Sequence, residues 1–186
     1  MSYALLGQVA AVFVAAGVIC GCAGPGEAWR ARLDAELPRM GHRNWIVVAD
    51  SAYPLQSAAG IETVVTGMGQ TQVVDHVLKQ IAKAPHVQAI VLLDAELDSV
   101  SEEDAPGVTA YRKELKELLR GKQVQVMPHE EIIAKLDEAS KLFNVMLLKT
   151  DMVLPYTSVF LELDCGYWGA EKEGRLRDAI KKKGSK

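Results

Sequence analysis

The chain has 186 residues, of which 49% are hydrophobic and 24% are charged, and its net charge is −3. This length supports one domain with a substantial core but not two, and the composition is ordinary for a globular protein. The small negative charge gives no reason to expect nucleic acid as a partner. Three cysteines do not form a disulfide framework, and the sequence holds no local metal-binding or phosphate-binding motif.

Residues 1–26 form an apolar N-terminal segment without a charged side chain. The run from Tyr3 to Cys22 resembles the hydrophobic region of a secretory signal, and residues 19–22 resemble a bacterial lipobox with Cys22 as the lipidation site. We therefore expect an exported protein, either a membrane-anchored lipoprotein or a periplasmic protein, which contacts the membrane only through this segment. The alternatives are a retained membrane anchor, a buried N-terminal helix and a cytoplasmic location.

Helical and strand periodicities alternate after this segment. Helices are predicted over residues 27–40, 71–84, 108–119 and 129–143, and Pro38 should disturb the last turn of the first helix. Strands are predicted over residues 45–49, 61–66, 87–93, 123–127, 145–148 and 157–163, and several of them are continuous apolar runs that are typical of buried strands.

Strands that are separated by single helices predict a parallel sheet with helices on its faces. The last two strands are joined by too few residues for a helical crossover, so we expect them to pair antiparallel or to lie at an edge. The predicted fold is a single-domain α/β sandwich with a mainly parallel sheet over residues 27–170. A charged C-terminal helix or tail follows over residues 171–186, with seven Lys or Arg against three Asp or Glu.

Polar side chains stand at the ends of three predicted strands, where open α/β sheets bind their ligands. His42 precedes the first strand, and Asp50 closes it. His129 follows the fourth strand, and Tyr156 and Ser158 flank the start of the last one. Each also has an ordinary structural interpretation, as a turn, first-turn or strand-rim residue.

A metal site is a weaker interpretation of the same residues. His42, His129 and Asp50 are side chains that can bind iron or zinc. They lie on separate loops without local ligand spacing, so we expect no metal at this site. Cys165 is expected to be a small packed side chain rather than a nucleophile.

Three motifs follow one another along the chain. Residues 41–54 lead from Gly-His through an apolar strand to Asp50 and Pro54, residues 128–131 read Pro-His-Glu-Glu, and residues 154–161 carry Pro-Tyr ahead of another apolar strand. In this order and spacing, over about residues 27–163, the motifs resemble the RbsD/FucU family of ribose pyranases and fucose mutarotases. The second motif resembles the ribose pyranase branch.

The resemblance implies an isomerase that interconverts the cyclic forms of a free monosaccharide without metal or cofactor. It assigns the proton donor to His42 and sugar binding to four further residues: Asp50, His129, Tyr156 and Ser158. It also implies a ring-shaped homo-oligomer with sites at subunit contacts. A histidine suits this chemistry, because it can accept or donate a proton near neutral pH while a hemiacetal ring opens.

Three features depart from the family pattern. Asn44 stands where the family usually has an acidic residue, which weakens the electrostatic support for a protonated His42. Ser158 replaces an asparagine, and the segment 151–154 is one residue longer than usual. The resemblance therefore leaves the identity of the sugar open.

Two other functions compete with the mutarotase interpretation. The main one is a non-catalytic, exported monosaccharide-binding module on the same scaffold. A weaker one is an isomerase or lyase that uses the same histidines on another small polyol. His42 is the residue that distinguishes the binding module from an enzyme, because a binding module could tolerate a neutral amide at that position.

Overall fold

A computed structural model describes residues 25–184 of the chain. The strands within this range are β1 (Trp45–Ala49), β2 (Ile61–Val65), β3 (Val87–Asp94), β4 (Val124–Met127), β5 (Val145–Lys149) and β6 (Val159–Cys165). The helices are α1 (Pro25–Glu36), α2 (Gln70–Lys83), α3 (Val108–Leu118), α4 (His129–Ser140) and α5 (Ala170–Gly184). Short 3-10 turns follow α1 and β3. The predicted elements are therefore all present, with boundaries shifted by a few residues.

The boundaries of α1 differ from the predicted ones at both ends, and two prolines explain the difference. It begins at Pro25, two residues before the predicted start, and a proline at this point already has the backbone angle that a first helical turn needs. It ends at Glu36, and Pro38 lies in the following 3-10 turn, as the sequence predicted. The predicted signal and the lipidation of Cys22 lie outside the described residues.

The sheet has the strand order β2-β5-β1-β6-β3-β4. β5 pairs in parallel with β1 and β2, and β3 pairs in parallel with β4. β6 runs antiparallel between β1 and β3 and joins these two parallel groups. The chain is thus a mixed α/β sandwich, as predicted.

The predicted arrangement of the last two strands, paired antiparallel or at an edge, was wrong. β5 and β6 do not pair, and β6 is central rather than at an edge. Neighbouring strands lie about 4.8 Å apart, so the nine residues between β5 and β6 can easily cross over the end of β1. The burial pattern agrees with this position, because the first three residues of β6 are fully buried while the edge strand β4 is largely exposed.

Both faces of the sheet are covered. Along β1, Ile46 and Val48 pack into a core with α1, α2 and α3, while Trp45, Val47 and Ala49 pack against α4 on the other face. This alternation follows from the two-residue period of a strand. The charged helix α5 buries none of its residues. Among the helices of residues 25–184, none is long and apolar enough to cross a bilayer.

Candidate functional site

Five polar residues gather where β1, β3 and β4 end and β6 begins. We call them the carboxyl-end cluster: Asp50, Asp94, His129, Tyr156 and Ser158. The register explains why they meet, since the first residue of β6 pairs with β1 on one side and with β3 on the other. The structure therefore brings together four of the five predicted site residues and adds Asp94.

Asp50 and Ser158 form one half of the cluster. The Ser158 hydroxyl donates to Asp50 Oδ2 at 3.0 Å, and Asp50 Oδ1 accepts a bond from the Ala52 backbone N–H at 2.9 Å. The second contact is the turn role that an aspartate commonly has. Because each carboxylate oxygen has a further lone pair, Asp50 can still accept hydrogen bonds from a ligand. Ser158 itself is buried, and its shorter hydrogen bond is the one to the Asp50 carboxylate.

His129 and Asp94 form the other half. Nδ1 of His129 lies 3.1 Å from Oδ1 of Asp94, whose side chain is 0% exposed, while the histidine is 31% exposed. Burial raises the pKa of Asp94, and the hydrogen bond with His129 opposes that shift in part. The backbone N–H of His129 lies 3.0–3.1 Å from both carboxylate oxygens of Glu96. This bond satisfies a free donor at the start of α4.

Tyr156 packs against the histidine from the rim. Its ring lies edge-on to His129, with 5.7 Å between the ring centroids. Its φ angle is 56°, in the left-handed region, which costs a non-glycine residue about 1–2 kcal/mol. Tyr156 also lines a surface pocket of about 440 Å³ together with Glu96 and Pro128. A strained, half-exposed aromatic beside a histidine is an arrangement that functional sites often hold.

His42 lies at the other end of the sheet, before β1. Its Nδ1 is 2.8 Å from Oδ1 of Asp164, and the two side chains are 56% and 30% exposed. The Asn44 side chain instead closes the turn, with its Oδ1 accepting from Gly41 N–H at 2.7 Å. The carboxylate beside His42 is therefore supplied by Asp164, a residue that the sequence analysis did not single out.

The two ends of the sheet are far apart. The five residues of β1 alone separate His42 from Asp50 by about 16 Å. Within one chain His42 cannot act on a ligand held by the carboxyl-end cluster. For the same reason, one chain cannot bind a metal through His42, His129 and Asp50 together.

A buried hydrogen-bond network supports the cluster from below. Gln70 Nε2 donates to the carbonyls of Val48 and Thr157, both at 2.8 Å, and its Oε1 lies 2.5 Å from the Thr150 hydroxyl. The Tyr111 hydroxyl also donates to the Thr157 carbonyl, at 2.7 Å. These bonds tie the end of β1 to the start of β6 and so fix the spacing of Asp50 and Ser158.

The sequence contained a signal for Asp94 that was not used. β1 ends in Val-Val-Ala and is followed by Asp50, and β3 ends in Val-Leu-Leu-Asp, so an aspartate closes each apolar run. Glu96 and Asp98 follow Asp94 closely, and such an acidic run is typical of a solvated turn. Gln70 carries no such signal, because a polar residue at a helix start is usually exposed.

Comparison with known proteins identifies the family. The model of the RbsD / FucU transport protein family matches residues 28–163. No curated protein sequence matches the chain. Among solved structures, RbsD of Bacillus subtilis complexed with D-ribose is 19% identical, with a TM-score of 0.53, and the alignment covers 72% of this chain and 92% of that one.

Two further structures are similar to the same extent. The fucose mutarotase of Streptococcus pneumoniae in complex with L-fucose is 19% identical, with a TM-score of 0.50 and coverage of 72% and 91%. FucU of Bifidobacterium longum is also 19% identical, with a TM-score of 0.50 and coverage of 72% and 92%. At this identity the structures show a shared fold. Because the family model spans most of the described domain, the chain belongs to the RbsD / FucU transport protein family.

Proposed function

We propose that this protein is a mutarotase or pyranase that interconverts the cyclic forms of a free monosaccharide. The observation that carries the proposal is the carboxyl-end cluster, in which Asp50, His129 and Tyr156 leave hydrogen-bonding atoms available, and Tyr156 also lines a surface pocket. A carboxylate, an imidazole and a phenol match the many hydroxyls of a sugar. The similar structures that hold D-ribose and L-fucose support a sugar as the ligand.

His42 is the proton donor of the proposed reaction. Ring opening needs a proton at the ring oxygen, and a histidine can donate one near neutral pH. Asp164 accepts the Nδ1–H of His42, which leaves Nε2 as the nitrogen that can face a substrate. Asp164 is therefore the carboxylate beside His42, in place of the acidic residue that Asn44 replaces.

The distance between His42 and the cluster makes the proposed site a shared one. A ligand at the carboxyl-end cluster of one subunit can meet only the His42 of a neighbour. Such a contact joins two different surfaces of the same chain, which is a heterologous interface. Interfaces of this kind form a ring when the rotation between neighbours closes. We therefore propose a ring-shaped homo-oligomer in which each subunit contact completes one site.

Exchange NMR tests the catalytic function. Wild-type protein should increase the rate of exchange between the pyranose and furanose, or α and β, signals of ribose, fucose, galactose or xylose above the rate in buffer. A sugar that shows saturation transfer from the protein without faster exchange would instead support the binding module. Absence of both effects with the whole panel would contradict a sugar ligand.

Export is a separate part of the proposal. The apolar segment of residues 1–26 and the Cys-Gly-Cys sequence at 20–22 support a lipoprotein that is anchored through Cys22. Labelling of the wild type but not of Cys22→Ala by a fatty-acid probe in a bacterial host would support this anchor. Equal labelling of both, or of neither, would contradict it.

A further inference from the structure

Asp94 is a buried carboxylate near the sheet end whose hydrogen bonds are incomplete. Its side chain is fully buried, yet only Oδ1 has a partner, and Oδ2 forms no hydrogen bond within the described residues. Gln70, at the same end of the sheet, uses both its amide nitrogen and its amide oxygen. Burying a carboxylate is unfavourable unless its hydrogen bonds are made. A purely structural role therefore does not explain Asp94 as it explains Gln70.

We propose that Asp94 is a positioning residue that makes His129 the second proton-transfer group of the site. This inference rests on the mutarotase function proposed above, and it gives His129 a catalytic role in addition to sugar binding. A single acid at His42 is not enough, because ring opening moves two protons: one leaves the anomeric hydroxyl and one arrives at the ring oxygen.

The contact with Asp94 determines which nitrogen of His129 can act. A carboxylate only accepts hydrogen bonds, so the Nδ1 atom beside it carries the proton. In the neutral ring Nε2 then has the free lone pair and is the basic atom. The Glu96 carboxylate fixes the backbone of His129 and Tyr156 packs against its ring, so the base is held in one orientation. Such orientation by surrounding groups is typical of catalytic histidines.

The proton transfers balance without help from solvent. Nε2 of His129 takes the proton of the anomeric hydroxyl, the C1–O1 bond becomes a carbonyl, the bond from C1 to the ring oxygen breaks, and His42 of the neighbouring subunit protonates that oxygen. Closure reverses the roles. His42 takes the proton of the attacking hydroxyl, which forms its bond to C1, and His129 returns a proton to O1. Both histidines end in their starting states, and the open aldehyde can close to a different ring or anomer.

The imidazole nitrogens of His129 provide the most direct test. In 15N-labelled wild-type protein, the nitrogen chemical shifts of neutral His129 should report the Nδ1–H form. Asp94→Asn, which keeps the shape but removes the charge, should give a mixture of the two tautomers. Asp98→Asn is the matched control, because it changes an exposed aspartate on the segment that follows β3 and should leave the shifts unaltered. A wild type with the proton on Nε2 would overturn the proposal.

Kinetics of sugar exchange provide the second readout. We expect Asp94→Asn to lower kcat about 10- to 100-fold with little change in KM, and His129→Gln to lower kcat by about 10²–10⁴. If His129 only binds sugar, His129→Gln will raise KM and leave kcat unchanged. An active wild type with an equally active Asp94→Asn variant overturns this inference alone, whereas a wild type that exchanges no sugar overturns the proposed function itself.

Discussion

The two histidine–aspartate pairs at opposite ends of the sheet have the same contact but different environments. His129 and Asp94 meet at 3.1 Å around a carboxylate that is 0% exposed, and His42 and Asp164 meet at 2.8 Å with both side chains partly in solvent. Burial strengthens a charged hydrogen bond, whereas solvent weakens it, and exposed pairs contribute about 0–1 kcal/mol. The buried pair is thus fixed by the fold, while the exposed pair is available to a second surface.

The same two strands connect these ends. β1 joins His42 to Asp50, and β6, antiparallel beside it, joins Ser158 to Asp164. Each chain therefore has a rim with the proposed proton donor and a rim with the proposed binding cluster. This polarity suits the proposed head-to-tail ring, since every contact then pairs the two different rims.

Loss of His42 should have the largest effect. His42→Ala should slow sugar exchange by about 10²–10⁴, because it removes the proposed proton donor but no buried volume. His76→Gln is a suitable control, since His76 packs against Trp29 and belongs to neither histidine–aspartate pair. Exchange NMR on both variants measures the effect. Wild-type exchange in a folded His42→Ala protein would contradict the assignment.

Loss of the exposed carboxylate should matter less than loss of the buried one. Asp164→Asn keeps an acceptor for His42 and removes a charge that solvent already screens, so we expect at most about a tenfold decrease in kcat. Asp94→Asn should decrease it more. The test is kcat of both variants, measured under one set of conditions. A larger decrease for Asp164→Asn than for Asp94→Asn would show that solvent exposure does not distinguish the pairs.

Ser158→Ala should have a smaller effect still. It removes the hydrogen bond to Asp50 Oδ2 and no other hydrogen bond of comparable length, which corresponds to about 1 kcal/mol. We expect KM for the best sugar to rise about fivefold with little change in kcat. Titration of the sugar in exchange experiments measures KM. A large fall in kcat instead would place the Ser158 hydroxyl in the chemistry.

The smallest expected effect is on stability. The pKa of Asp94 is raised in the folded protein, mainly by burial, from its ordinary value of 3.8. The unfolded chain therefore ionises first, so stability decreases as pH rises from 3.8 through the folded pKa and stays lower at neutral pH. Asp94→Asn has no carboxyl group to ionise at this position and avoids this loss. The Tm of the variant minus the Tm of the wild type should therefore be larger at pH 7 than at pH 3. If the Tm values of the two proteins changed in parallel with pH, the raised pKa of Asp94 would be contradicted.

The elements of the fold could be predicted because each depends on local periodicity. The central position of β6 could not, because strand order depends on which apolar faces the whole chain can bury. The separation of His42 from Asp50 was implicit in the sequence, since the two residues flank one five-residue strand. The contacts of Asp94 with His129 and of Asp164 with His42 could be found only from the structure. The two partners are 35 positions apart in the first pair and 122 positions apart in the second.

Mixed oligomers test the central claim, a site shared between the two rims, most directly. His42→Ala and His129→Gln subunits, each nearly inactive alone, would be unfolded together and reassembled in equal amounts. If each site combines rims from two subunits, random assembly leaves roughly one quarter of the sites with both histidines, and that fraction of wild-type exchange should return. A mixture as inactive as its components, in oligomers shown by mass spectrometry to contain both chains, would contradict the shared site.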